Sequence, residues 1–537
     1  MKKFAMRNIP ELVGLAFVVG GMVWSVGAAD GFPAVQRRMT DNPRAIPIRI
    51  SASVPVPTNV IACAWSLEGR DWYLVGARGS DGATGVMTLA DGYAGAELIE
   101  GGGAHLTRDG GKIEYAFAPD GYACLALTPC KPYRLEDPLT FADGSKVMTK
   151  ADWRRRRAEI LEMFQREMYG RMPPKPATMV TDLLDERETC STFAIRRRMR
   201  MWFRADRTGP FVDWMVIRPK NARKDCPPII FLNSLGDFQL LPDEDLAAAD
   251  GFVTEYAPSS GSRANLPNQK GQRGIWCNPN NRYHWPLGSI LANGFAVVTA
   301  CYYDIAPDPS QKDRRATEWR RRCLELWPET EGREDDTRSL MAWAWGLCRG
   351  LDLAEKEPGI DASRAIVTGC SRLGKAALIA GAFDERFMVV VPNQTGKGGV
   401  PLSKRVYGER IALEAREFPH WFTPRYLSYA DRDAELPYDQ HLLLACIAPR
   451  ALLVEGFDSP WFDTKGEFLA LKAASPVWTF LGAEGLPDVD WPKDFEMTAV
   501  GHRLGYVRRN GQHGLWAYDW EWLMGFAKRA FKTVADR

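Results

Sequence analysis

Between residues 46 and 129 the apolar positions come in short runs, "IPIRISAS", "NVIACAWSL", "DWYLVGAR", "GVMTLA", "KIEYAFAP" and "YACLALTP", separated by Gly, Asp and Asn. Runs of this length, rich in β-branched and aromatic residues and bounded by turn formers, predict strands. No helical period interrupts them, so residues 30–129 read as a small all-β domain. Such a domain could bind sugar or simply brace the remainder of the chain.

Past "RLEDPLTFADGSKVMTKADW" the period changes. "ADWRRRRAEILEMFQREMYG" has helical spacing and dense charge. The apolar runs "FVDWMVIRP", "PPIIFLNS", "FAVVTACYY", "RAIVTGC", "FMVVVPN" and "ALLVEGF" then alternate with helical stretches such as "DTRSLMAWAWGLCRGLDLAEKE" and "LPYDQHLLLACI". Near-continuous apolar strands alternating with helices predict a mostly parallel sheet covered on both faces. One unit near the middle, "RAIVTGCSRLGKAALIAGAFDERF", turns from strand to helix with Ser371 in the bend, where a nucleophile elbow carries its hydroxyl. Residues 130–537 are therefore expected to form an α/β-hydrolase domain. Two features of the turn are unusual: Gly374 stands three residues past the serine instead of two, and Arg372 and Lys375 crowd it with positive charge.

At the other end, Lys2, Lys3 and Arg7 precede "LVGLAFVVGGMVWSVGAA". This is the pattern of a secretory signal over residues 1–29, with cleavage after Ala29, although Glu11 interrupts it. An uncleaved anchor is the rival reading, because the run approaches spanning length. Under the first reading the mature protein is exported, periplasmic or secreted, and has no membrane attachment.

Composition narrows the chemistry further. A chain of 537 residues calls for at least two domains. A net charge of +2 argues against a nucleic-acid partner. The 19 tryptophans suit a carbohydrate-facing protein, with most of them in the core. The eleven cysteines lack zinc-site spacing, so no metal ligand set is expected. Cys124 and Cys130 could pair, as could a few others; most of the cysteines read as small buried hydrophobes, with Cys370 turned inward from the elbow.

A serine nucleophile needs a base, and the base needs an orienting acceptor, in the chain order Ser, acid, His. Of six histidines, four follow Ser371. His420 precedes every late acid, and His441 lies in an apolar helical stretch. His513, in the Gly-flanked loop "RRNGQHGLWAYDW", is preferred over His502, which adjoins a strand. The acid is sought after "ALLVEGF": Asp458 is nearest the strand end, while Asp463 resembles a helix N-cap.

The residues together resemble the glucuronoyl esterases of carbohydrate esterase family 15. The resemblance rests on "GCSRLGK", "DPLTFADGSKVMTKADWRRRRAEILEMF", "YGER", "FPHWF", "LPYDQHLLLACIAPRALLVEG", "WFDTKGEF" and "GQHGLWAYDW", and spans about residues 131 to 537. It implies hydrolysis of glucuronic or 4-O-methylglucuronic esters that join glucuronoxylan to lignin alcohols; a serine mechanism of this kind needs no cofactor, and a monomer is expected. It further implies Ser371 as nucleophile, His513 as base, Arg372 as oxyanion donor, and Lys375, Glu409 and Trp461 as contacts of the uronate ring. The chain departs from the family at Gln394, where many members carry a glutamate; Asp458 then takes the acid's role. An esterase for another carbohydrate ester, such as acetyl xylan, and a non-catalytic polysaccharide-binding protein are the rival functions.

Overall fold

The computed structural model describes residues 16–19, 22–25, 46–47, 60–67, 70–77, 82–88, 93–109, 112–129, 133–247, 249, 273–309, 319–457, 462–486, 488–492, 495–500 and 503–535. They form two compact units. The first takes Met1–Tyr133 together with Arg405–Arg410 and Ser459–Asp463, and the second takes the remainder.

In the first unit β1 (Ala16–Val19) and β2 (Met22–Ser25) pair antiparallel within the apolar N-terminal run. An antiparallel sheet comes next, of β3 (Ile46–Pro47), β4 (Val60–Leu67), β5 (Arg70–Ala77), β6 (Ala83–Thr88), β7 (Tyr93–Asp109) and β8 (Lys112–Pro129). Tyr73, Val75, Ile113, Tyr115, Phe117 and Leu125 share its buried face. Two strands expected from "KIEYAFAP" and "YACLALTP" are one continuous strand, β8. Its partner β7 escapes the hydrophobic pattern, because Gly and Glu break up its apolar alternation. Among the described residues, no helix is long and apolar enough to cross a membrane.

The second unit is built on ten strands: β9 (Val180–Thr189), β10 (Ala194–Trp202), β11 (Phe211–Pro219), β12 (Pro228–Asn233), β13 (Ala296–Cys301), β14 (Ile366–Cys370), β15 (Val389–Asn393), β16 (Ala451–Phe457), β17 (Glu496–Val500) and β18 (Leu504–Arg509). Their order is β17-β18-β16-β15-β14-β12-β13-β11-β10-β9. The strands from β13 through β12, β14, β15 and β16 to β18 run parallel, flanked by antiparallel strands at both edges. Strands β12 to β16 are buried along their whole length, as a sheet covered on both faces requires. The chain runs from β12 to β13 on one side and resumes with β14 on the other, opening the crevice at strand C-termini where α/β proteins place ligands. The fold is that of an α/β-hydrolase, as the alternation of runs predicts.

The longer helices of this unit are α1 (Lys150–Phe164), α2 (Ser339–Ala354), α3 (Arg372–Phe383), α4 (Thr464–Ala474) and α5 (Ala517–Ala535). Helix α1 starts on a capping box, the Thr149 hydroxyl taking the Asp152 N–H at 3.0 Å and the Asp152 carboxylate taking the Thr149 N–H at 2.9 Å. Helix α2 is buried along its whole length. The expected helix in "LPYDQHLLLACI" is only His441–Ala445; just ahead of it the Asp439 carboxylate accepts from the backbone N–H groups of Ser403, Lys404 and Gln440, at 2.7, 2.9 and 2.8 Å.

Candidate active site

The shape of the elbow comes from its glycines. Strand β14 ends at Cys370, whose thiol is buried and pushed well above its ordinary range by that burial. Ser371 then adopts φ 60° and ψ −127°, a strained conformation for a residue with a Cβ, and α3 begins at once. A Cβ on Gly369 would lie 2.3 Å from the Leu373 carbonyl oxygen. One on Gly374 would lie 2.7 Å from that of Asn393 and 2.8 Å from that of Gly369. The late second glycine thus lets the first turn of α3 press against the ends of β14 and β15.

The end of β15 ties this turn to a histidine. The Ser371 N–H donates to the Asn393 carbonyl at 2.9 Å. The next residue, Gln394, has φ 50° and donates its own N–H to the Glu455 carbonyl at 2.8 Å. Its side-chain Oε1 lies 2.8 Å from His513 Nδ1. Gln394 therefore stands where an orienting acceptor is needed, and that acceptor is neutral.

Loop 510–516 carries His513 from β18 to α5. The buried Arg509 guanidinium donates to the carbonyls of Gln512 and Gly514 at 3.0 and 2.8 Å, and to Asp519 Oδ1 at 2.9 Å. Gly514, at φ 149°, lies so close to the Arg282 carbonyl that a Cβ there would be 1.8 Å away. Glycine at 514 is thus a steric requirement. Burial, and then the positive charges of Arg282, Arg509, Arg372 and Lys375, lower the His513 pKa to about 4. At neutral pH the imidazole is an uncharged base.

Both cations of the turn have anionic partners. The Arg372 guanidinium is ion-paired with Asp308 and lies over the Trp421 ring, 4.9 Å from its centroid. Asp308 Oδ1 also accepts from His420 Nε2 and Trp421 Nε1, each at 2.8 Å, and Oδ2 accepts from Tyr302 at 3.1 Å. Burial alone would raise its pKa, but the Arg372 charge and these donors outweigh burial and hold the carboxyl below the usual range. Lys375 Nζ is buried 3.6 Å from Glu414 Oε1 and 5.0 Å from the Trp421 centroid. At the N-terminus of α3, the Arg372 backbone N–H and guanidinium together offer donors to developing negative charge.

The structure brings Ser371, Arg372, Lys375 and His513 to one end of the sheet. Asp458, Trp461 and His502 lie outside the described residues. Glu409 is buried in the Arg405–Arg410 segment of the first unit, and Asp463 of that unit accepts from Arg405 Nε at 2.7 Å. His441 is buried with Nε2 2.7 Å from the Glu136 carbonyl. Cysteines 190, 226, 277, 301, 323, 348, 370 and 446 are reduced thiols; Cys130 lies outside the described residues. Sequence reasoning missed Asp308, Glu414 and the role of Asn393. Asp308 follows the short helix Tyr302–Ile305 that comes after β13, and no local pattern in the sequence marks it.

Comparison with known proteins adds to this geometry. The family described as "Glucuronyl esterase, fungi" matches residues 287–482. A carbohydrate esterase from an unknown prokaryotic organism is 32% identical over 398 residues, 74% of this chain and 89% of its own length. A 4-O-methyl-glucuronoyl methylesterase of Podospora anserina is 29% identical over 364 residues, 65% of this chain and 61% of its own. The solved structure of a glucuronoyl esterase from Solibacter usitatus superposes with a TM-score of 0.65 at 32% identity, covering 75% of this chain and 99% of that one.

Proposed function

The chain belongs to the glucuronoyl esterase family, carbohydrate esterase family 15, and from that premise we propose a serine mechanism at Ser371 acting on esters of glucuronic and 4-O-methylglucuronic acid. It is a carboxylic ester hydrolase. The observation that carries the mechanism is the shared anchorage at β15: Ser371, strained at φ 60°, donates its N–H to Asn393, and His513 is bonded to the adjoining Gln394.

In this reading His513 Nε2 accepts the Ser371 proton as Oγ attacks the carbonyl carbon of the uronate ester. The oxyanion meets the Arg372 N–H and guanidinium, fixed in advance by Asp308, so no reorganisation is needed when charge develops. His513 then returns the proton to the departing alcohol. Water, deprotonated by the same imidazole, hydrolyses the acyl-enzyme and releases the uronate. Asp458 is proposed as the acid that stabilises the imidazolium, and Lys375, Glu409 and Trp461 as contacts of the sugar. The carboxyl groups of glucuronoxylan, esterified to lignin alcohols, are the proposed natural substrate of an exported monomer.

Hydrolysis of benzyl glucuronate by wild type and Ser371→Ala tests this. Turnover by the wild type that disappears in the folded variant is expected. Equal turnover by both would remove the nucleophile assignment. Hydrolysis of acetylated xylan without hydrolysis of benzyl glucuronate would move the substrate to the acetyl ester.

A further inference from the structure

We propose that Gln394 is a positioning residue that locks His513 in the tautomer protonated on Nδ1, and that buried Glu455 holds Gln394 in place through Asn393. The proposal rests on the reading of His513 as general base.

The side-chain amide has one permitted orientation. Gln394 Oε1 accepts the Gly514 N–H at 3.0 Å, while Nε2 donates to the Gly514 carbonyl at 2.6 Å and to Asn393 Oδ1 at 2.5 Å. Rotating the amide by half a turn would face an NH2 with an N–H and oppose two pairs of oxygens. Gly514 is itself the residue after His513, so the loop that carries the base also dictates which end of the amide the base meets. That end is a carbonyl oxygen, which only accepts. His513 Nδ1, 2.8 Å away, must therefore carry the proton, and Nε2 keeps its lone pair for the serine.

The chain of donors continues inward. Asn393 Nδ2 donates to Glu455 Oε2 at the end of β16. From His513 N–H to Gln394 oxygen, from Gln394 N–H to Asn393 oxygen, and from Asn393 N–H to Glu455 oxygen, every bond points the same way, so each polarises the next. Glu455 Oε1 is buried and has no hydrogen-bond partner among the described residues, so none of them competes for this carboxyl group. The amide at 394 retains the geometric half of an acid's role, which is to choose the tautomer. The other half, a negative charge against the imidazolium, is left to a group elsewhere.

Nitrogen NMR of histidine-labelled protein reads the tautomer with no substrate present, the His513 signals being identified from a His513→Gln sample. Wild type should show a protonated Nδ1 and an unprotonated Nε2. Gln394→Leu, folded as judged by circular dichroism, should lose that preference and lower kcat by about a hundredfold or more with little change in KM, since a misdirected imidazole is costly in a serine hydrolase. Glu455→Leu should lower kcat more than Glu455→Gln, which keeps an acceptor oxygen. A wild-type spectrum with the proton on Nε2 overturns the proposal even if no variant folds. A folded Gln394→Leu with wild-type tautomer and kcat also overturns it. Failure of the wild type to hydrolyse benzyl glucuronate, with Nδ1 protonated, would sink the substrate assignment while supporting this one.

Discussion

The acid limb of the rate profile is the most direct consequence of the cations around His513. A free imidazole titrates near 6.5, whereas burial and then Arg282, Arg509, Arg372 and Lys375 bring this one to about 4. The difference corresponds to about 3 kcal/mol in favour of the neutral ring. Because the folded value lies below the unfolded one, this stabilising contribution is complete above about pH 6.5 and disappears as the pH falls through about 4. The dependence of kcat/KM on pH for benzyl glucuronate reports the free enzyme's base. It should stay level from about pH 7 to pH 5 and fall only near pH 4. Gln394→Glu would set a carboxylate against Nδ1, where an opposite charge typically raises a histidine pKa by about 1–3 units, and the limb should move up accordingly. A wild-type limb at or above pH 6.5 would refute the reasoning. It would mean that the charge of Asp458, the acid proposed to stabilise the imidazolium, outweighs the four cations.

Three further perturbations have defined outcomes. Asp308→Asn removes the counter-ion of Arg372; loss of one partner of a buried pair costs about 3–5 kcal/mol, reduced here to about 2 kcal/mol because the Arg372 side chain is 35% exposed. Urea unfolding should register that loss, and an unchanged midpoint would contradict it. Gly374→Ala drives a methyl group into two backbone carbonyls and should destabilise by about 1–3 kcal/mol while lowering kcat; a thermal midpoint equal to wild type would show that the turn of α3 can yield. Asp458→Asn removes the proposed counter-charge of the imidazolium and should lower kcat by about a hundredfold or more, and normal turnover would place the acid elsewhere.

The fold type is legible in the sequence because the parallel strands are fully buried and therefore read as unbroken apolar runs. Strands β9 and β10 are not legible, since their register pairs Arg with Asp and Glu. Arg196 is fully buried against Asp185, Asp243 and Asp245, an environment that a pattern of hydrophobic positions does not describe. Ser371 and His513 stand out through local signals, a strand-to-helix bend and a glycine-flanked loop. Asp308 and Glu414 give no such signal. Their carboxylates matter through contacts across the fold to Arg372 and Lys375, and spacing along the chain carries no trace of that. Gln394 reads in sequence as a missing charge; the two hydrogen bonds to Gly514 reveal what an amide supplies in its place.

The pairing of three of these cations with carboxylates bears on how turnover ends. Arg372 with Asp308, Lys375 with Glu414 and Arg509 with Asp519 leave the surroundings of the serine polar but nearly compensated. The ester enters uncharged and leaves as an anion. Were those cations unpaired, they would retain that anion and make product departure the slow step. With the carboxylates in place, glucuronate should inhibit only weakly, and it should inhibit Asp308→Asn more strongly than the wild type. Buried acids that take no part in bond cleavage thereby set how readily the site clears for the next ester.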